Sequence, residues 1–484
     1  MRGRKREVGV ADPEKLNRST PVRHPEPPPS PGLPAPSAPP APSSPPAGPT
    51  RLDRRRLDRE IGALAFPALG ALAADPLVSM VDTAFVGRLG TVPLGALGVN
   101  AALFSLAFVV FNFLAYGTTP RVARAFGRGD TEAAGMVAVQ ALVLAVVTGL
   151  AATAVFLLAA NPLLAMMGAT GELRDPALSY LRIRALAGPA VLLIMASHGI
   201  FRGFQDTRTP LVVTLGLNVV NLVLDPLLIF GLGWGIAGAA WATVAAQWLG
   251  ALWFLGLLLG PRRALLGTRP RLPRPAELLP FLRVGGELVL RTFALIGTLT
   301  VAAAVATRLG AAQVAGHQVA IQLWLLLALV VDSVAVAAQA LVARYRGEGD
   351  PTLLRQVTDR LLGWGLATGV VLAVLFFGLA PWLPRIFTDD PDTLAQVGRI
   401  MVFVVWMQPL NALVFVWDGI YMGLEDFRFL AVQMVLSALV GVAVLAFVLP
   451  LGWGLSGVWW GIVALMAARA LTLASRYRTV GRGA

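Results

Sequence analysis

A succession of apolar segments, each long enough to cross a bilayer and divided from the next by a short polar connection, leaves this chain one kind of solvent. Such segments fall at 61–86, 94–120, 133–159, 177–201, 210–231, 236–260, 277–306, 312–341, 353–380, 396–420, 426–449 and 455–475, which makes twelve spans. In lipid every backbone amide and carbonyl must be satisfied internally, so the spans are expected to be α-helices and the chain an all-α polytopic membrane protein. Composition supports this, since 56% of the residues are hydrophobic and only 14% charged, against roughly a quarter charged in soluble domains.

The net charge of +13 would suggest nucleic acid in a soluble domain, but the arginines sit on alternate connections. Arg121, Arg124 and Arg128, Arg202 and Arg208, Arg262 to Arg274, Arg344, Arg346 and Arg355, Arg428, and Arg476 to Arg482 share one side with the basic N-terminal segment. The opposite connections carry only Arg88, Arg174, Arg308 and Arg385. By the positive-inside rule both termini are expected in the cytoplasm, in a bacterial inner (plasma) membrane, and no nucleic-acid partner is implied. Residues 1–58, rich in Pro, Ala, Ser and Arg, read as a disordered cytoplasmic tail. A second Pro- and Arg-rich stretch at 261–275 reads as a linker, and 477–484 as a short C-terminal tail.

The region between them repeats itself. GRLGTVPLGALGV at 87–99 aligns with TRLGAAQVAGHQV at 307–319, GIFRGFQD at 199–206 with GIYMGLED at 419–426, and LGWGIAGAAW at 232–241 with LGWGLSGVWW at 451–460. Two six-helix bundles in parallel orientation follow, an N-lobe at 59–260 and a C-lobe at 276–476, with a central cleft between them.

Within the repeat, Asp225 is out of place. It stands between Leu222-Val223-Leu224 and Leu227-Leu228-Ile229-Phe230, where an ionisable group costs a few kcal/mol and is expected to face a cavity and to act on a substrate or ion. Asn221 lies one turn earlier on the same face, and Thr243 can reach the same place from the next helix. Carboxylate, amide and hydroxyl oxygens together suit a proton or a hard monovalent cation, so a Na+ at Asp82, Asn221, Asp225 and Thr243 is one of two readings. Asp82 and Asp225 have no counterpart in the second half, where the aligned positions are Ala302 and Val444 or Leu445. The first bundle is therefore expected to hold the ion site. Tyr180 opens the fourth span and can hydrogen-bond a carboxylate; Asp75 precedes the helix-bending Pro76.

For the substrate cleft the candidates are Asn112, His198, Arg291, Asp332 and Asp418. Asp418 aligns with His198 and is expected to attract cationic compounds, while Arg291 needs a partner from Glu287, Asp332 or Asp418. Intramembrane arginine looks sparse apart from Arg291. No P-loop, GxSxG or HExxH motif occurs, so no enzyme and no cofactor is expected. With no Cys and three scattered His, neither a disulfide nor a thiolate metal site is available.

VDTAFVGRLG at 81–90, FRGFQDTRTPL at 201–211, NLVLDPLLIFGLGWGIAGAAWAT at 221–243, HQVAIQLWLLLALVVDSVAVAAQAL at 317–341 and QPLNALVFVWDGIYMG at 408–423 together resemble the multidrug and toxic compound extrusion (MATE) family, in its DinF-like branch. The resemblance implies a monomeric twelve-helix antiporter that exports amphipathic, often cationic compounds in exchange for H+ or Na+. It also implies an ion site at Asp82, Tyr180, Asn221, Asp225 and Thr243. A lipid-linked precursor flippase of the same superfamily is the alternative, and it would call for a strongly cationic cavity.

Overall fold

Polar punctuation sets where the helices start and stop. A computed structural model describes residues 53–266 and 273–477, and along them run α1 (Arg54–Gly87), α2 (Thr91–Val110), α3 (Phe113–Gly127), α4 (Thr131–Leu158), α5 (Ala160–Met166), α6 (Arg174–Ala185), α7 (Gly188–Gly203) and α8 (Arg208–Pro226). They are followed by α9 (Gly235–Leu259), α10 (Pro275–Leu309), α11 (Ala311–Glu348), α12 (Pro351–Leu379), α13 (Pro391–Trp406), α14 (Gln408–Gly423), α15 (Phe427–Val448) and α16 (Gly454–Tyr477). Aspartates cap several starts: Asp53 accepts from the Arg55 amide at 3.0 Å, Asp130 from Ala133 at 2.9 Å and Asp350 from Thr352 at 2.8 Å, each satisfying an amide that the helix cannot. The expected tail boundary at 58 is thereby corrected: the cap at Asp53 starts the first helix at Arg54. Most of the tail, part of the linker and the last seven residues lie outside the described residues.

Ten of the helical stretches are long and apolar enough to cross a membrane, with α2 and α3 counted together, and the α6–α7 and α13–α14 pairs, each bent by 50°, bring the spans to twelve. The two bends stand at equivalent places, and the repeat extends to the backbone. Gln205 (φ 63°) and Glu425 (φ 57°), 220 positions apart, are the non-glycine residues with positive φ among the described residues, and Gly129 and Gly349 (φ 72° and 82°) occupy matching turns. Close approaches repeat as well. A side chain at Gly199 would meet the Ala115 carbonyl and one at Gly419 the Ala335 carbonyl, so in both halves glycine lets two helices cross backbone to backbone.

Six-helix lobes form around these crossings. In the first, α3 and α4 pack on α7, and α8 packs on α9; in the second, α11 and α12 pack on α14, and α15 packs on α10 and α16. The lobes meet mainly where α3 and α1 lie against α11. At the Arg-rich end, α3 and α11 cross so tightly that a Cβ on Gly127 would strike the Arg344 carbonyl and one on Gly347 the Arg124 carbonyl.

Polar contacts close the same end. Asp58 of α1 takes both Arg360 Nε (2.7 Å) and Nη2 (2.6 Å) together with Trp364 Nε1 (2.8 Å). Glu60 accepts from Arg344 at 3.5 Å and from the Tyr345 hydroxyl at 3.3 Å. The two residues of positive φ both reach across: Gln205 donates to the Ala340 carbonyl at 3.0 Å, and Glu425 pairs with Arg124 at 3.6 Å. Half-exposed pairs of this kind contribute on the order of 1 kcal/mol or less each, so the closure is one that a ligand can overcome. We expect Gly127→Ala to part the lobes at this end. A single cysteine placed at Ala340, in a chain with no native Cys, should then react faster with maleimide than in the otherwise unchanged chain; equal rates would show that the crossing absorbs the methyl.

Candidate functional site

Two clusters of ionisable side chains lie inside the helical core, one in each half. The first is assembled from α1, α6, α8 and α9. Asp225 sits at the end of α8, one residue before Pro226 and a π-helical turn at Leu227–Gly231, and is fully buried. Proline cannot supply the helical amide, and the wide turn that follows is the type found at functional sites. Asp225 and Asp82 of α1 face each other. Neither Asp225 oxygen, nor Asp82 Oδ1, nor Asn221 Nδ2 has a hydrogen-bond partner among the described residues. Buried polar groups are nearly always paired, so a cluster of orphaned carboxyl oxygens is chemically suited to a cation or a proton.

Tyr180 and Thr243 stand at its edge, the phenol against the threonine hydroxyl, which itself donates to the Ala239 carbonyl at 3.0 Å. All five residues expected at the ion site thus come together. A sixth joins them: Arg184, one turn beyond Tyr180 on α6, points its guanidinium at the Tyr180 hydroxyl and Asp82 and packs over the Phe104 ring at 5.4 Å. Two carboxyls and one guanidinium leave one negative charge in excess. Asp75 lies two turns earlier on α1, where it accepts from Asn218 at 3.2 Å.

The second cluster lines a cavity of about 200 Å³ between the lobes, walled by α1, α3, α10, α11, α14 and α16. Asn112, Arg291, Asp332 and Asp418 all line it. His198 does not: its Nε2 is 3.3 Å from the Thr214 hydroxyl and its ring stands edge-on to Phe254 at 5.5 Å, so it packs α7 against α8 and α9 inside the first lobe. Its place in the cleft is corrected accordingly, because the pseudo-symmetry aligns it with Asp418 while local packing turns it away.

The partner of Arg291 is Asp418, at 2.5 Å, and Arg469 of α16 donates to the same carboxylate oxygen. Glu287 pairs instead with Arg283 at 3.6 Å. A carboxylate held by two guanidinium groups has little charge left with which to attract a cation, which removes the basis for a cation-attracting Asp418. The count of intramembrane arginines also changes. Arg184, Arg202, Arg291 and Arg469 all lie within the spans, and Arg469 is 1% exposed. Arg469 was open to the rule that picked out Asp225, since LMAARALTLAS carries an ionisable residue inside the last span. Arg202 looked like a loop residue because it closes a helix at the Arg-rich end.

The sequence profile of the MatE family matches residues 67–227 and 289–448, the bulk of both lobes. The chain belongs to the MatE family. It is 39% identical over 437 residues to Protein DETOXIFICATION 44, chloroplastic, of Arabidopsis thaliana, covering 88% of this chain and 83% of that protein. DNA damage-inducible protein F of Escherichia coli is 27% identical over 434 residues, covering 87% of this chain and 92% of that protein. The solved structure of a MATE protein in a bent conformation superposes with a TM-score of 0.80 at 24% identity over 89% of this chain and 96% of that one. This MatE protein is thus a multi-pass membrane member of a family of multidrug efflux transporters, with the twelve-helix fold of that family.

Breaking the second cluster from one side should be costly, because removing one partner of a buried ion pair typically destabilises by about 3 kcal/mol or more. Arg469→Met is expected to lower the unfolding midpoint of the detergent-solubilised protein well below that of Arg283→Met, which touches only an exposed pair. Similar midpoints for the two variants would show that Arg469 contributes little to stability.

Proposed function

We propose that the protein is an antiporter that exports amphipathic organic compounds by alternating access, driven by H+ or Na+ entering the first lobe. The observation that carries this reading is the fully buried Asp225 facing Asp82 with both of its oxygens unpartnered. A proton or a monovalent cation there removes the repulsion between the two carboxyls and their demand for water. Since Arg184 beside Asp82 already offsets one of the two charges, a single cation brings the cluster to neutrality. If the ion is Na+, its oxygen ligands are Asp82, Asn221, Asp225 and Thr243. The central cavity holds the substrate, and α1 connects the two, with Leu72 in the cavity wall and Asp82 in the ion site.

Closure of the Arg-rich end supports an outward-facing state, the one from which the ion enters. The protein works as a monomer in a bacterial plasma membrane with both termini in the cytoplasm, a placement supported by the side on which the arginines gather. A flippase of lipid-linked precursors is disfavoured: the cavity arginines are matched by Asp332 and Asp418, and its volume is small for a pyrophosphate-bearing headgroup.

Everted vesicles carrying the wild type should accumulate an amphipathic fluorescent dye in their lumen when an outward-directed pH gradient or Na+ gradient is imposed. Asp225→Asn should abolish the gradient-driven component while leaving the protein folded. Equal transport by both forms would sink the assignment of Asp225, and the gradient that drives the wild type identifies the ion.

A further inference from the structure

We propose that the groove where α1 meets α11 and α12 is a site for one anionic phospholipid, its acyl chain lying along the seam between the lobes and its phosphate on Arg54 and Arg360. The inference goes beyond the antiporter reading and needs neither the ion nor the substrate which that reading names. Shape is the first support. The groove encloses about 570 Å³ and runs from Asp58 to Leu69 on α1 and from Arg360 to Leu372 on α12. At 1.5 Å per residue each wall is roughly 17 Å long, close to the ~15 Å of hydrocarbon in one leaflet. Phe66 and Val371 on its walls are 68% and 64% exposed, so the groove opens toward lipid.

Small residues make the space. A Cβ added at Gly363 would meet nothing within 4 Å, and Ala65 and Ala367 stand on the two facing helices. Neither lobe fills the hollow with its own side chains. A void beside hydrocarbon forfeits dispersion contacts, and an acyl chain restores them.

Charge selects the headgroup. At the Arg-rich end of the groove the Asp58 carboxylate accepts from Nε and Nη2 of Arg360, and Arg54 faces it from one turn earlier on α1. Two guanidinium groups therefore stand against one carboxylate. The Arg360 side chain is 40% exposed, and with two of its nitrogens on Asp58 it keeps further N–H groups for a phosphate. Trp364, whose indole also donates to Asp58, is the kind of residue that marks the membrane–water interface. A zwitterionic lipid would bring its own cation to this positive excess, whereas an anionic lipid of the cytoplasmic leaflet brings none.

Position gives the consequence. One wall belongs to the first lobe and the other to the second, so a lipid seated here touches both and favours the state in which the Arg-rich end is closed.

The test uses the full-length protein, stripped of lipid in detergent and titrated with phosphatidylglycerol or phosphatidylethanolamine of identical chains under native mass spectrometry. Phosphatidylglycerol should form a one-to-one adduct at a concentration at least fivefold below that needed for phosphatidylethanolamine. Gly363→Leu, which fills the hollow, should raise that concentration about fivefold without lowering the unfolding midpoint. Arg54→Gln, on the exposed first turn of α1, should remove the preference between the two lipids. In nanodiscs, a protein carrying Ala340→Cys should react with maleimide about threefold more slowly once phosphatidylglycerol replaces part of the phosphatidylethanolamine, and adding Gly363→Leu should erase the difference. Equal binding of the two lipids by the wild type, or a preference that survives Arg54→Gln, would overturn the anionic headgroup. Binding and slowed labelling that both persist in a folded Gly363→Leu protein would show arginines gathering lipid without a groove, and would overturn the site. Equal maleimide rates in the two lipid mixtures would overturn the bridging of the seam.

Discussion

Charge cannot be left unmatched in hydrocarbon, and that constraint explains where this protein places almost every polar side chain of its interior. The helices satisfy their own backbones, so what remains to be balanced is a small number of ionisable groups. They gather in two places. In the C-lobe, Asp418 is held by Arg291 and Arg469, which ties three helices together, and Asp332 beside them supplies the second acid against the two bases. In the N-lobe, Asp82 and Asp225 face each other with a single guanidinium, Arg184, beside Asp82, so two acids stand against one base. The difference sorts the clusters by chemistry: the balanced one holds structure, and the unbalanced one calls for a cation.

The energies of the interfaces divide in the same way. Inside each lobe, glycines let backbones touch, and breaking the buried arginine–aspartate set costs about 3 kcal/mol or more. Between the lobes, besides the glycine crossing of α3 on α11, the polar contacts at the Arg-rich end are half-exposed pairs, such as Arg344 with Glu60 and Arg124 with Glu425, each on the order of 1 kcal/mol or less. Rigid lobes with a weak seam move as bodies, which is the motion that alternating access requires. Gln205 and Glu425 show how the repeat serves this end. Each occupies the left-handed turn of its own half, and from there each reaches the other lobe.

Much of this could be read from the sequence because a bilayer simplifies the code. Spans appear as apolar runs, orientation as arginine asymmetry, and the repeat as three matched pairs of strings; Asp225 stood out because an acid inside an apolar run has few ordinary explanations. What escaped was direction. His198 and Asp418 occupy equivalent positions, yet one turns into its lobe toward Phe254 and the other into the cavity, and nothing in the aligned strings distinguishes them. Arg184 and Arg469 escaped for another reason. Arginine is common near helix ends in membrane proteins, where its long side chain reaches the interface, so its presence in a span says less than that of an aspartate until burial is known.

One helix links everything that is functional here. At its start α1 carries Asp58 and Glu60, which close the Arg-rich end; Leu72 lies in the cavity wall and Asp82 in the ion cluster. Its two prolines are not equivalent. Pro67 withdraws the amide that would bond the Ala63 carbonyl, and the Thr207 hydroxyl takes its place at 3.3 Å, so the helix is braced there. Pro76 withdraws the amide that would bond the Leu72 carbonyl, at the cavity wall itself. The helix is therefore weakest between the cavity and the carboxyl cluster, where a change in the charge of Asp82 and a change in the occupancy of the cavity act on the same segment. Coupling asks only that the two ligands favour different shapes of that segment.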